Sequence, residues 1–251
     1  MQSVSVVIIT KNEASSIAAC LASVVGLADE VLVLDSGSND GTREICSKMG
    51  ARVVETDWPG FGAQKNRAVK AAKNEWVLCL DADERVSSEL FESIRRALSN
   101  PEFSAYRFAR SNRFLGRYLR YGEGYPDWSL RLFDRRTAEW SADVVHEKVI
   151  SSQPVGELAG DLLHDSAESL ESYLNKQNRY TSLAAEAALA SGRKVSAARM
   201  VCSPMIRFLK FYVFRAGFRD GVPGLVHIVI GCFNSFIKYA KMREAGNRKR
   251  Q

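Results

Sequence analysis

Apolar and polar positions along the first half of this chain are arranged in blocks. Val4 to Ile9, Val31 to Leu34 and Trp76 to Leu80 are short runs dominated by apolar and β-branched residues, and Arg52 to Glu55 is a further expected strand. Such runs read as strands buried on both faces of a parallel sheet. Between them lie stretches of helical spacing: Ile17, Leu21 and Val24 within residues 14–25, residues 42–49 with Gly50 as a stop, and residues 63–73. A glycine just past a periodic segment is a common helix terminator. Strands alternating with helices of about ten residues predict βαβ units around a parallel sheet. Ser87 or Ser88 is placed to cap a helix running to Leu98, because a serine oxygen can accept an otherwise unpaired amide of the first turn. Ser104 to Ala109, with Tyr106 and Phe108 on one face, and Asp127 to Phe133 predict two further strands.

From residue 166 the pattern changes. Leu170 to Leu189 has helical periodicity and an alanine-rich middle. Residues 199–219 then carry Met200, Phe208, Phe211, Tyr212, Phe214 and Phe218, interleaved with Arg199, Arg207, Lys210, Arg215 and Arg219. Bulky apolar groups among long cationic side chains predict a helix lying in a membrane interface. Residues 221–237 are uncharged, apart from the titratable His227, but include Pro223, Gly224, Gly231 and Asn234. A crossing needs about 20 predominantly apolar residues, so an interfacial or re-entrant placement is expected. The alternative is an apolar helix pair packed on the preceding domain or in a homodimer interface. The chain is thus expected to divide into 1–165 and a helical, membrane-associating extension, 166–251.

Charge sharpens that division. The net charge of +6 conceals 13 Lys/Arg against two acids (Asp220 and Glu244) from Gly192 onward, and 22 against 27 before it. A mildly acidic body with a basic end, including Lys238, Lys241, Arg243, Arg248, Lys249 and Arg250, predicts that the extension meets an anionic lipid surface. No nucleic-acid partner is expected. The five cysteines are odd in number and widely spaced, which argues against a disulfide framework or a zinc site and for the reducing cytosol. The strand at Val4 begins without a basic and apolar leader, so no secretory signal is expected. The expected location is the cytoplasmic side of the cytoplasmic membrane.

The chemistry lies at the strand ends. Trp76-Val77-Leu78-Cys79-Leu80 runs into Asp81-Ala82-Asp83-Glu84, three acids separated by one small residue. At the carboxyl end of a strand, where open α/β sheets place ligands, such a cluster suits a hard divalent cation bridging to substrate phosphates. A strand followed by an acidic helix start is the alternative. The turn after the first strand, Thr10-Lys11-Asn12-Glu13, has no Gly-x-Gly-x-x-Gly, and no P-loop is present, which sets aside the dinucleotide and P-loop folds.

Thr10-Lys11-Asn12-Glu13, Asp35 to Thr42 and Leu80-Asp81-Ala82-Asp83 resemble the three signatures of the family 2 inverting glycosyltransferases of the GT-A fold. The match covers about the first 150 residues in order and spacing. Trp58-Pro59-Gly60-Phe61-Gly62-Ala63-Gln64-Lys65-Asn66, Arg131-Leu132-Phe133, His146-Glu147 and Asp220-Gly221 narrow it toward the lipopolysaccharide-core β-1,4-glucosyltransferases. The resemblance implies an α/β fold of GT-A type, Rossmann-like, with a mostly parallel central sheet and flanking helices. It implies a UDP-sugar donor, UDP-glucose in the narrower match, and a lipid-linked saccharide acceptor. Thr10, Asn12, Glu13 and Asp35 would contact the uridine, with Lys65 and Ala82 near the nucleotide. Asp81 would face the ribose or donor sugar, Asp83 would ligate Mg2+ or Mn2+, and Arg131 would meet the diphosphate.

Inversion needs a carboxylate to take the acceptor hydroxyl's proton as that oxygen attacks the anomeric carbon. Glu147 is the expected base, with Asp143 and Asp127 as rivals, and His146 would touch the metal or phosphate. Glu84 is expected to start the following helix or to make a supporting contact. His164 and Asp165 are expected to be a structural polar pair. Arg107, Arg110, Arg113, Arg117 and Arg120 read either as solvated loop charge or as recognition of an acceptor anion. Two further readings remain open. A polyprenyl phosphate as acceptor would need no base, and a tethered nucleotide-sugar-binding protein would perform no turnover.

Overall fold

A computed structural model describes residues 1–141, 147–165, 169–193 and 196–248. The chain divides into two compact units, Met1–Ser111 with Asp127–Asp165, and Asn112–Pro126 with Ser166–Gln251. This differs from the expected division at 165 in one segment, 112–126.

In the first unit, β1 (Val4–Thr10) lies between β2 (Glu30–Asp35) and β4 (Trp76–Asp81), with β3 (Arg52–Glu55) beyond β2, all parallel. The connecting helices are α1 (Ile17–Ala22), α2 (Thr42–Lys48) and α3 (Phe61–Ala71). The uninterrupted apolar runs follow from burial on both faces. Val4, Val6, Ile8, Leu78 and Leu80 pack with Ile17, Leu21, Leu90, Ile94 and Leu98. Their alternates Val7, Ile9, Val77 and Cys79 pack on the other side with Leu32, Leu34, Ala68, Val69 and Trp140.

The α/β architecture of GT-A type is present, but only the first four strands are parallel. After β5 (Glu84–Val86) and α4 (Ser88–Ser99), the strand β6 (Ala105–Phe114) and β8 (Asp127–Asp134) pair antiparallel, and β8 pairs antiparallel with β4. β11 (Val155–His164) pairs antiparallel with β5. The path through the sheet is β3-β2-β1-β4-β8-β6-β11-β5. No helix lies between β6 and β8, and a parallel return needs a crossover of a dozen or more residues. β9 (Ala138–Trp140) and β10 (Val149–Ser151) form a separate ribbon. The expected cap is present, since Ser87 Oγ accepts the Leu90 amide at 3.3 Å. Glu84 lies in β5 and does not start that helix.

In the second unit, β7 (Arg117–Tyr118) folds back on the end of β6. β6 runs on past the expected Ala109, so Arg110 and Arg113 lie on a strand with Arg107 and not on a loop. The segment 112–126 is held by Asp220, fully buried, whose Oδ2 accepts the amides of Arg120 (2.9 Å) and Tyr121 (2.8 Å). Glu123 pairs with Arg207. The helices are α5 (Leu170–Ala190), α6 (Ala197–Phe208) and α7 (Gly221–Arg248), with a π-helical stretch at Leu209–Phe214 and a 3-10 turn at Gly217–Asp220.

Lys241, expected at a lipid surface, instead ties α7 to α5 by donating to Asn178 O, Thr181 Oγ1 and Ser182 Oγ at 2.8–2.9 Å. Gly217–Gly246 is long and apolar enough to cross a membrane by length and composition, which residues 221–237 alone are not. Met205, Ile206, Leu209, Phe214, Phe218, Val222 and Phe233 are exposed.

Candidate active site

Register brings the three signatures together. Thr10 lies opposite Asp35 and Ile9 opposite Asp81, so the carboxyl ends of three neighbouring strands open on one crevice. The first two signatures are then laced to each other. Ser38 Oγ accepts the Asn12 amide (2.8 Å), Thr42 Oγ1 that of Glu13 (2.8 Å) and Asp40 Oδ2 that of Ala14 (3.0 Å). Asn12 Oδ1 accepts the Asn39 amide at 2.9 Å, with Asn12 in the left-handed region at φ 57°. Asparagine is among the residues that tolerate that conformation.

Asp35 is fully buried. Its Oδ1 accepts the amides of Gly37 (3.1 Å) and Ser38 (2.8 Å), and its Oδ2 the hydroxyls of Thr10 (2.8 Å) and Ser38 (2.5 Å). In this arrangement Asp35 and Thr10 shape the loop, and Asn12 and Glu13 are the more accessible of the residues expected at the uridine. Ala82 turns its methyl into the core cluster, which leaves the main chain as its approach to a ligand.

From Asp81 a line of alternating charges runs across the sheet. Glu147 Oε1 stands 3.2 Å from Lys65 Nζ, and Lys65 Nζ 3.0 Å from Asp81 Oδ1. Asp81 Oδ2 stands 2.9 Å from Arg131 Nη2, which lies 3.1 Å from Glu84 Oε1. Glu84 Oε1 also meets Arg110 at 3.3 Å, and Arg110 pairs with Asp127 at 2.7 Å. Lys65 and Arg131 lie over the Trp140 ring, 4.4 and 5.2 Å from its centroid.

Burial opposes ionisation of Asp81, yet Arg131 and Lys65 hold it well below the usual carboxylate range. At Glu84 burial prevails over Arg131 and Arg110 and raises the carboxyl. Glu84 is the supporting contact the sequence offered as one option: its Oε2 accepts the Asp81 amide at 2.9 Å. Removing one member of such a buried charged set leaves the others uncompensated, at a cost of about 3–5 kcal/mol.

The third signature also faces His164. Because β11 pairs with β5 so that His164 lies opposite Glu84, its Nε2 reaches Asp83 Oδ2 at 3.0 Å. The sequence suggested a purely structural His164-Asp165 pair. Asp165 does have a structural role, pairing with Arg85 at 2.6 Å, but His164 sits against the expected metal ligand. Burial lowers the His164 pKa, and the Asp83 hydrogen bond and charge raise it further than that, for a net rise. Burial, followed by the charges of Asp83 and Asp40, raises the carboxyl of Glu13, so negative charge is concentrated in the crevice.

Among the described residues no three His, Cys, Asp or Glu side chains gather into a closed metal site. A carboxylate beside one imidazole suits a cation that takes its remaining ligands from a diphosphate, since Mg2+ is usually held by one or two carboxylates plus substrate phosphates. His146 and Asp143 lie outside the described residues.

Glu147 is positioned by the start of α3. A Cβ on Gly62 would stand 2.5 Å from Ser141 O and 3.6 Å from Glu147 Cβ, so only glycine lets that segment close on the helix. Asn66 clamps β9, donating to Trp140 O (2.9 Å) and accepting its amide (3.0 Å).

The model of glycosyl transferase family 2 matches residues 5–151. An uncharacterized glycosyltransferase of Rickettsia typhi is 31% identical over 100% of this chain and 90% of its own length. The lipopolysaccharide core biosynthesis glycosyltransferase LpsC of Rhizobium meliloti is 28% identical over 94% of this chain and 90% of its own length. A dolichyl-phosphate hexose transferase of Haloferax volcanii is 39% identical over 34% of this chain and 38% of its own length. With the family model matching more than half of the chain, and a relative above 30% identity matching all of it, the chain belongs to glycosyl transferase family 2.

Proposed function

We propose that this glycosyltransferase is inverting and metal-dependent, and moves a hexose, glucose from UDP-glucose, to a lipopolysaccharide-core or related lipid-linked oligosaccharide. The reading rests foremost on the Asp83–His164 pair standing beside the Glu147–Lys65–Asp81–Arg131 line of charges. The likeness to LpsC over nearly the whole chain supports the acceptor class.

The step is a single displacement. The acceptor oxygen attacks the anomeric carbon while Glu147 takes its proton, the bond from that carbon to the diphosphate breaks, and UDP leaves with the electron pair. Arg131 and Lys65 supply fixed positive charge next to Asp81 and need no reorganisation as charge develops. Asp83 would hold the divalent cation, joined by His164 once its imidazole has given up the proton, and the cation would neutralise charge on the departing diphosphate.

The test is a donor screen by UDP release on purified core-oligosaccharide lipids. UDP-glucose is expected to outpace other donors. Chelation with EDTA should abolish release, and Mg2+ or Mn2+ should restore it. Full activity in EDTA would sink the metal reading, and release with no core acceptor would sink the acceptor reading. The Haloferax volcanii relative favours a second reading, a polyprenyl phosphate acceptor.

The second unit is read as the membrane anchor, peripheral on the cytoplasmic face, through the exposed Leu209, Phe214, Phe218, Val222 and Phe233 with Arg215 and Arg219 among them. Truncation would also remove Asp220 and release segment 112–126, so substitution in the full chain is the cleaner test. Phe214→Ser, Phe218→Ser and Phe233→Ser together should cut sedimentation with anionic vesicles at least about tenfold, because each buried Phe contributes about 1.5–3 kcal/mol. Unchanged sedimentation would refute this placement.

A further inference from the structure

The segment Trp58 to Phe61 is absorbed by none of the roles above. Trp58 and Phe61 are 43% and 55% exposed, and their rings meet edge to face at 4.8 Å. The loop has ties besides these rings. Arg67 pins it by pairing with Asp57 at 2.6 Å, and the Thr56 amide donates to Asp35 O at 2.9 Å. Gly60, at φ 107°, makes the turn that brings Trp58 back over the first turn of α3. Single exposed apolar residues are ordinary, but two large rings packed on each other at the mouth of a site form a surface.

Their place in the fold says what that surface meets. Phe61 and Lys65 are one helical turn apart on the same face of α3, and Lys65 reaches Glu147 and Asp81. Gly62, next to Phe61, is the residue against which the Glu147 segment closes. The aromatic pair therefore stands at the rim of the site on the side of the proposed base, where the attacking hydroxyl must lie. Other exposed aromatic rings of this unit are engaged: Arg107 covers Trp128 at 5.1 Å, and Phe103 packs on Tyr106 at 5.9 Å.

We infer that Trp58 and Phe61 form a stacking platform for a pyranose ring of the acceptor saccharide. The apolar face of a pyranose presents C–H groups, and these complement the negative face of an aromatic ring. The inference rests on the reading of the acceptor as a saccharide and names the residues that hold it.

The test uses the full-length protein. Trp58 is one of four tryptophans, and its exposure makes its emission sensitive to a ring laid on it. Titration with delipidated core oligosaccharide should shift the emission, and Trp58→Phe should remove the response. Trp58→Ala and Phe61→Ala should each raise the acceptor KM about tenfold, leaving kcat at saturation, the donor KM and the melting temperature unchanged. Phe61→Tyr should keep the parental acceptor KM and Phe61→Leu should not, since a merely space-filling role would not require an aromatic ring. An acceptor KM within twofold of the parent in both alanine variants would overturn the platform, as would an equal rise in donor KM. Transfer to a polyprenyl phosphate with no Trp58 response to core saccharide would also overturn it, while leaving the enzyme a glycosyltransferase.

Discussion

A Glu147→Gln variant is expected to lose about 10²–10⁴-fold in kcat, the span a positioned general base contributes, with little change in donor KM. Glutamine keeps the size of the side chain and an oxygen that can accept from Lys65, which now stands 3.2 Å from Glu147 Oε1. The fold and the closure against Gly62 should survive, and a thermal melt at the parental temperature would show that they have. What is lost is the capacity to bind the acceptor's proton. Asp127 is a weaker rival because the Arg110 guanidinium grips its Oδ2 with two nitrogens, at 2.9 and 2.7 Å, where Lys65 meets Glu147 at a single 3.2 Å. An Asp127→Asn control should therefore lower kcat far less. The readout is initial-rate UDP release with core-oligosaccharide lipid. If Glu147→Gln turns over as fast as the parent, the acceptor oxygen is already ionised and the polyprenyl phosphate reading takes its place.

Much of the candidate site was legible because two independent patterns coincide at its strand ends. Runs buried on both faces mark β1, β2 and β4 as parallel neighbours, and polar residues at the ends of such strands converge whatever the loops do. The adjacency of Thr10, Asp35 and Asp81 follows from register alone. The rest depended on antiparallel pairing between distant segments. Glu84 reads as a helix start because Ser87 follows it, yet Glu84–Val86 is a strand whose partner, Leu162–His164, carries no local mark of that pairing. His164 reaches Asp83 only through that pairing.

The antiparallel half had a signal in the absence of any helical stretch between residues 114 and 127, which forbids a parallel crossover. Segment 112–126 could not be assigned locally, because its anchor, Asp220, lies about 100 residues downstream. Asp35 illustrates a different limit. Sequence marks an acid at a strand end, but only the structure shows that Gly37, Ser38 and Thr10 occupy both its oxygens.

Asp83→Asn should be the more severe lesion at the donor side. The amide keeps an oxygen but removes the charge that would hold a divalent cation, and His164 loses its anionic partner at 3.0 Å. A bound cation contributes several kcal/mol of charge stabilisation in the transition state. At about 1.4 kcal/mol per tenfold, kcat should fall about a thousandfold. Binding should change as well, independently of turnover. In calorimetric titrations of the parent protein, Mn2+ should raise the affinity for UDP, and by linkage UDP should raise the affinity for Mn2+ by the same factor. In Asp83→Asn both enhancements should vanish while metal-free UDP binding persists, because Asn12 and Glu13 are unaltered. The neighbouring acid gives the contrast. Asp81→Asn leaves Asp83 and His164 in place but deprives the buried Arg131 and Lys65 of their shared partner, so its cost should appear first in melting temperature and donor KM. If Asp83→Asn keeps the mutual enhancement of Mn2+ and UDP, the cation is held elsewhere in the crevice, and the pairing of Asp83 with His164 serves the sheet, not the sugar transfer.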